Sequence, residues 1–356
     1  MNIKSLLLGS AAMVAAVSGA RAADAVVFAE PEPMEYVRVC DVYGAGFYYI
    51  PGTETCLKIG GYVRYQINAS ELDNDEGFDK YGRATLGIDA RSETELGTLR
   101  SFIELRADYT SGGAGAASLR QAFIELGGFK VGVATTINDD ALSAEFDSGG
   151  YDSRVHMMGY TWDGGNGFTA TINLEEYDNN YDYTPNVIAR LGVEQGWGGA
   201  RLYGAYDATA EEWFAKLVGS VNLTERLALE GIATYESGSS VYSVWSNPSD
   251  SVAAGNFGYE WSAGALLKYA ATEKLSVGFG GQYFASAHDS YSNDTVGTVL
   301  NPYAGNDDWA LGAIIDYKIV KDFNTKIAIN YWDGDTVDQL GEDGYFEGFV
   351  RFQRNF

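Results

Sequence analysis

The chain has 356 residues, with 49 Asp and Glu against 24 Lys and Arg and a formal net charge of −25. A surface this acidic repels phosphate backbones, which argues against nucleic acid as a partner. With 44 Gly, 25 Tyr and only 6 Pro, the composition favours many strands joined by tight turns, and the length fits two ordinary domains or one large all-β unit.

Residues 1–22, MNIKSLLLGSAAMVAAVSGARA, are basic at Lys4, largely apolar from Leu6 to Val17, and small at Ala20 and Ala22. This is the pattern of a secretory signal peptide, too short and wrongly flanked for a spanning helix. It predicts export and cleavage after Ala22. Beyond it no run of even ten apolar residues remains, so helices cannot carry the mature chain through a bilayer. Only a closed barrel could. Residues 23–56 read as a lead-in, extended and poorly ordered around Pro31 and Pro33 and then bracketed by Cys40 and Cys56. An even cysteine count in an exported chain predicts one disulfide closing a small loop. Two lone thiols do not complete a zinc site, and His156 and His288 lie far away in sequence.

Strand patterning fills residues 57–356. In the first run Leu57, Ile59, Val63, Tyr65 and Ile67 alternate with Lys58, Tyr62, Arg64, Gln66 and Asn68. A side-chain period of two makes one face apolar and the other polar. The second run repeats it, with Ala84, Leu86, Ile88 and Ala90 against Arg83, Thr85, Asp89 and Arg91. Sixteen such runs are predicted, at 57–68, 81–91, 98–110, 118–126, 129–134, 154–162, 168–175, 187–195, 200–207, 212–222, 226–235, 259–270, 274–285, 309–319, 323–331 and 345–356. Connections after even-numbered runs are short, as at Gly127-Gly128 and Val320-Lys321-Asp322, while most of those after odd-numbered runs are long and polar. A soluble sandwich would show no such asymmetry. A sixteen-stranded antiparallel transmembrane β-barrel would, with apolar residues facing lipid, polar residues facing the lumen, and aromatic girdles at both interfaces. Tyr109, Tyr160, Trp162, Tyr235, Trp309, Tyr317, Tyr331 and Trp332 cluster at run ends and are expected in those girdles. The last run ends flush on Phe356, which lets the terminus pair with the first strand and leaves no open edge.

The segment EYVRVCDVYGAGFYYIPGTETCLKIGGYVRY (Glu35–Tyr65), with SETELGTL, AFIELGGFKVG and the closing VRFQRNF, resembles the outer-membrane porins of alphaproteobacteria. The resemblance implies a homotrimer embedded in outer-membrane lipid and lipopolysaccharide, and passive diffusion of small hydrophilic solutes and ions. It also implies that the loop after the fifth strand, about 134–154, folds inward as a constriction. YGRATLG is similar to a lumenal strand and offers Arg83. SLRQAFIEL offers Arg120, although Ala122, Ile124 and Leu126 share its parity; DSRVHMMGY offers Arg154. Within the loop AEFDSGG points to Glu145, with Asp139, Asp140 and Asp147 as further candidates.

Parity places Arg64, Arg100 and Arg106 on polar faces beside Arg83. Arginines facing loop carboxylates across a narrow opening would set up a transverse field that selects by size and charge. The net charge predicts a mild preference for cations. No enzyme signature is present: there is no GxSxG, and GGNGF (Gly164–Phe168) is a turn with no following helix to make a phosphate cradle. No cofactor is expected. Acidic stretches such as 178–182 and Asn306-Asp307-Asp308 are plain solvated loops or, less simply, calcium ligands. A substrate-specific channel, for a sugar for example, is the alternative function, because it would share every barrel feature.

Overall fold

The computed structural model describes residues 38–71, 78–110, 112–146, 153–177, 184–244, 257–293 and 297–356. The signal peptide, residues 23–37 of the lead-in, Asp147 and the 178–182 acids lie outside these.

Alternation of apolar and polar side chains has the expected result. The strands are β1 (Tyr48–Tyr49), β2 (Cys56–Ser70), β3 (Asp79–Thr94), β4 (Gly97–Thr110), β5 (Gly113–Ala114), β6 (Ser118–Leu126), β7 (Phe129–Thr135), β8 (Arg154–Gly165), β9 (Phe168–Glu176) and β10 (Asn186–Gln195). They continue with β11 (Gly198–Asp207), β12 (Glu212–Asn222), β13 (Leu227–Glu236), β14 (Tyr259–Ala270), β15 (Leu275–Ala287), β16 (Ser290–Asn293), β17 (Gly297–Leu300), β18 (Asp308–Val320), β19 (Phe323–Gly334) and β20 (Tyr345–Asn355). One short helix, α1 (Asp335–Leu340), lies between β19 and β20. Leaving aside the short β1, β5 and the β16–β17 hairpin, sixteen strands pair antiparallel with their chain neighbours, and β2 pairs β20 to close the ring. All sixteen expected runs are barrel strands, most of them a few residues longer than the alternation alone marks. Among the described residues no helix is long and apolar enough to cross a membrane.

The seam is made by the chain's end. Phe356 N donates to Gly61 O at 3.0 Å and Gly61 N to Phe356 O at 3.1 Å. Gly61 has φ +158 and a Cβ there would meet the Thr85 backbone, so no side chain fits where the two strands close.

Outward positions are apolar and exposed, as at Ile59, Val63, Leu202, Leu217, Phe279 and Ile329. At the long-loop end of this surface the aromatics touch in series: Trp213 stacks on Tyr235 at 5.0 Å, Trp261 meets Tyr283 at 5.5 Å, Trp309 meets Tyr331 at 5.6 Å, and Tyr331 meets Phe346 at 4.9 Å. Rings with an apolar body and a polar edge suit a lipid–water boundary. Trp332 does not belong to this belt. It is one residue out of phase, 2% exposed on the inner face, where its Nε1 donates to Glu347 at 2.8 Å.

The interior is not uniformly wet. Leu142 and Phe146, from the segment after β7, pack with Tyr242 and Val244 from the segment after β13. Val337 of α1 and inward residues such as Ile188, Tyr203, Phe214, Leu266, Phe284 and Ile314 complete the cluster. Two inward-folded segments thus fill the β10–β20 side and leave the opening against the wall made by β2, β3 and β4. The sequence places only the first of these segments inside; of the second, residues 237–244 are described, with Tyr242 and Val244 buried in the lumen.

Candidate pore constriction

The loop after β7 is held at both ends by carboxylates. Asp140 accepts from Arg201 Nη2 at 3.0 Å and from the Tyr203 hydroxyl, both on β11. Lys216 of β12, 1% exposed, donates its ammonium to the carbonyls of Asn138 and Asp140. Ser143 N and Oγ donate to Glu230 of β13 at 2.7 and 2.8 Å. Farther along, Glu145 receives Lys326 Nζ at 2.9 Å and Arg351 Nη1 at 3.2 Å, while Asn330 Nδ2 donates to its carbonyl at 2.7 Å. The loop therefore crosses the lumen from β7 to β20. The second inward loop supports it, since Asn138 Nδ2 donates to Tyr242 O at 3.1 Å.

This changes the part played by the loop acids. The sequence reading set Asp140 and Glu145 against distant arginines as one side of a transverse field. In the structure both are tethers, neutralised by cations of the strands they lie on. Asp139 is exposed, its N donating to Thr136 O at 3.3 Å.

Arg64, Arg83, Arg100 and Arg106 all lie on inward positions of β2, β3 and β4. Arg64 stands directly opposite Arg83 in the ladder, and its Nε donates to Gln353 at 2.8 Å. Arg83 and Arg106 share Asp108 at 2.7 and 2.8 Å. Arg91 and Arg100 share Asp89 at 2.7 and 3.0 Å, and Arg100 also reaches Glu125. Lys326 and Arg351 meet on Glu145, and Arg100 and Lys130 on Glu125, so the same arrangement recurs at Asp108, Asp89, Glu145 and Glu125: two cations beside one carboxylate. With each group counted once, Arg83 and Arg106 face Asp108, and Arg91, Arg100 and Lys130 face Asp89 and Glu125, so each of these two clusters holds one cation more than carboxylate although the chain is strongly acidic.

Arg120 illustrates how parity can mislead. Glu104 pairs Gln121 and Leu105 pairs Leu119, so Arg120 is the extra residue of a β-bulge. The bulge puts Arg120 and Gln121 on one side and returns Leu119 to the outside beside Leu105. Arg154 is not aimed at the opening by its strand. It pairs Thr135 and shares parity with the outward side chains Met158 and Tyr160, while Val155 and Met157 take the buried inner positions. Lys326, Arg351, Arg201, Lys216 and Glu230 were missed, yet the same parity rule would have found them: each occupies the polar phase of a run whose other phase is apolar. Among the described residues no cluster of metal-ligating side chains is present. Asp307 and Asp308, considered for calcium, accept protein hydrogen bonds from Tyr283, Ser286, Tyr259 and Thr336 instead.

Residues 24–349 match the family described as the porin subfamily. The chain is 38% identical to porin Omp2b of Brucella canis and to porin Omp2a of Brucella suis biovar 1, with all of each chain covered in both comparisons. Among solved structures, the outer membrane channel DcaP of Acinetobacter baumannii superposes with a TM-score of 0.64 at 15% identity, covering 86% of this chain and 99% of that one. OmpT of Vibrio cholerae in its trimer form gives 0.57 at 11% identity, covering 85% and 100%. At such identities these two structures bear on the fold alone. With the barrel, its inward loop and full-length relatives in agreement, the chain is a member of the porin subfamily of outer-membrane channels.

Proposed function

We propose that this porin is a homotrimeric general pore, delivered by a cleaved signal peptide and surrounded by outer-membrane lipid and lipopolysaccharide. Small hydrophilic solutes cross it by passive diffusion between the tethered loop and the β2–β3–β4 wall. The observation that carries this reading is the loop pinned across the lumen from β11 to β20, which narrows a polar passage without sealing the basic wall. OmpT, whose fold is similar, has a trimer form, and the trimer is part of this proposal.

Selectivity follows the aperture rather than the whole chain. The Debye length is about 8 Å at physiological ionic strength, so charges on distant rims are largely screened while those lining the passage act on the ion directly. The two wall clusters that hold one cation more than carboxylate, around Asp108 and around Asp89 with Glu125, therefore favour anions weakly, against the cation preference that net charge alone suggests. Reversal potentials under a potassium chloride gradient in planar bilayers test this. A shift towards cations in Arg83→Gln/Arg106→Gln supports the assignment, and a cation-selective parent overturns it. A general pore shows flux linear in solute concentration, whereas saturable flux of one sugar would make the channel substrate-specific.

A further inference from the structure

The segment between the cysteines is not merely a stapled lead-in. Cys40 and Cys56 are bonded with Cα atoms 6.0 Å apart, and β1 pairs β2 through Tyr48–Leu57 and Tyr49–Cys56. Cys40, Phe47 and Cys56 form their own buried cluster, with Tyr43 and Tyr49 packed against it. This cluster lies on the lumenal face. Arg91, on an inward position of β3, places its guanidinium 5.7 Å from the Tyr43 ring and 5.0 Å from the Phe47 ring. Lys58, on an inward position of β2, stands 5.7 Å from Phe47. Partial burial and a hydrogen bond to Glu93 push the Tyr43 hydroxyl up to about 12, so it stays protonated and bound at the rim. Cation–π contacts of this kind, together with the disulfide, hold the short loop against the wall.

The position along the barrel is fixed by register. Cys56 begins the first spanning strand and Arg91 is its partner, near the Thr94–Gly97 turn. This is the short-turn rim, opposite to the rim from which the loop after β7 descends. Between the disulfide loop and the wall lies a cavity of about 420 Å3, lined by Tyr43, Phe47, Tyr62, Phe102, Asp89 and Glu104. Gly60 and Gly87, paired across β2 and β3, leave the wall bare beneath it.

We infer that the Cys40–Cys56 loop is a second constriction, at the short-turn mouth, which limits the size of solutes entering from that side independently of the loop after β7. The inference rests on the reading of the barrel as an open pore. Its determinants are Tyr43 and Phe47, held over Arg91 and Lys58. Because the disulfide is a side-chain link at the first residue of β2, opening it frees these two aromatics without breaking the backbone pairing of a spanning strand.

The test uses the folded channel in a planar bilayer, with neutral polyethylene glycols of graded size added to one side at a time. Reduction by a membrane-impermeant thiol on the short-turn side should move the size cut-off measured from that side to larger polymers and leave the cut-off from the other side unchanged. Tyr43→Ala/Phe47→Ala, which keeps the disulfide, should give the same one-sided shift. Unchanged cut-offs in both the reduced and the substituted channel would overturn the inference. So would equal shifts from the two sides, since a generally loosened barrel gives no asymmetry. Absence of any conductance before reduction would instead refute the pore itself.

Discussion

Replacing Lys216 with methionine tests the idea that the constriction is held by a few buried tethers. Methionine keeps the unbranched stem and fills nearly the same space, but it cannot donate to the carbonyls of Asn138 and Asp140, which the ammonium now satisfies. A buried carbonyl stranded in this way costs about 1–3 kcal/mol. Asn138 O keeps the hydrogen bond from Asp140 N at 2.8 Å, so only the Asp140 carbonyl is stranded; this weakens the anchoring of residues 138–140 by roughly 1–3 kcal/mol, and every 1.4 kcal/mol is about tenfold in population. The loosened state should therefore rise at least about fivefold. The effect should stop partway along the loop, because Ser143 remains on Glu230 and Glu145 on Lys326 and Arg351. Hydrogen exchange should accelerate at the amides of Asn138–Asp140 and not in the barrel ladder, and single-channel traces should show larger open-state noise. Native exchange at those amides, together with native noise, would refute the tether argument.

Acid should act on the same anchor. Burial pushes the Asp140 carboxyl up, but the hydrogen bonds from Arg201 and Tyr203 outweigh it and hold the group below the usual carboxylate value. A depressed folded-state value means the tether contributes fully above about pH 4 and is lost as pH falls through the lower folded value. Open-state noise should thus stay flat from neutral to mildly acidic pH and rise only in strong acid, whereas Asp140→Asn should be noisy throughout. Gly312→Val tests packing, since any Cβ at Gly312 collides with the ring of Phe146; a changed unitary conductance with an intact barrel by circular dichroism is expected. Deleting Phe356 removes both hydrogen bonds at the seam with Gly61 and should sharply lower the yield of detergent-resistant barrel, read by electrophoresis of unheated samples.

The barrel was legible because each spanning strand has only two faces in two solvents, so alternation of the Ile59–Arg64 kind determines side as well as structure. The limits have equally physical causes. A bulge adds one residue, so the phase on one side of Arg120 does not carry over to the other. Trp332 has the residue type of a girdle but the opposite phase, and phase decides its side. The inward turn of the segment after β13 depends on Tyr242 and Val244 finding a lumenal apolar surface made by distant strands, and nothing local distinguishes them from exposed loop residues. The loop acids were recognised as important, but whether a carboxylate faces an opening or grips a neighbour depends on three-dimensional placement. Arg201 and Lys216, which decide it for Asp140, lie more than sixty residues away.

The first and last spanning strands are joined along their length, from Tyr62 with Asn355 to Ser70 with Glu347. A ring sealed in this way has a chronology: its earliest strand must wait for the final residue to emerge before either has a neighbour on that side. Throughout that interval two ribbons of unsatisfied amides and carbonyls are available to any passing polypeptide. Export, folding and insertion are therefore a race against aggregation, and it is won only when the last phenylalanine arrives.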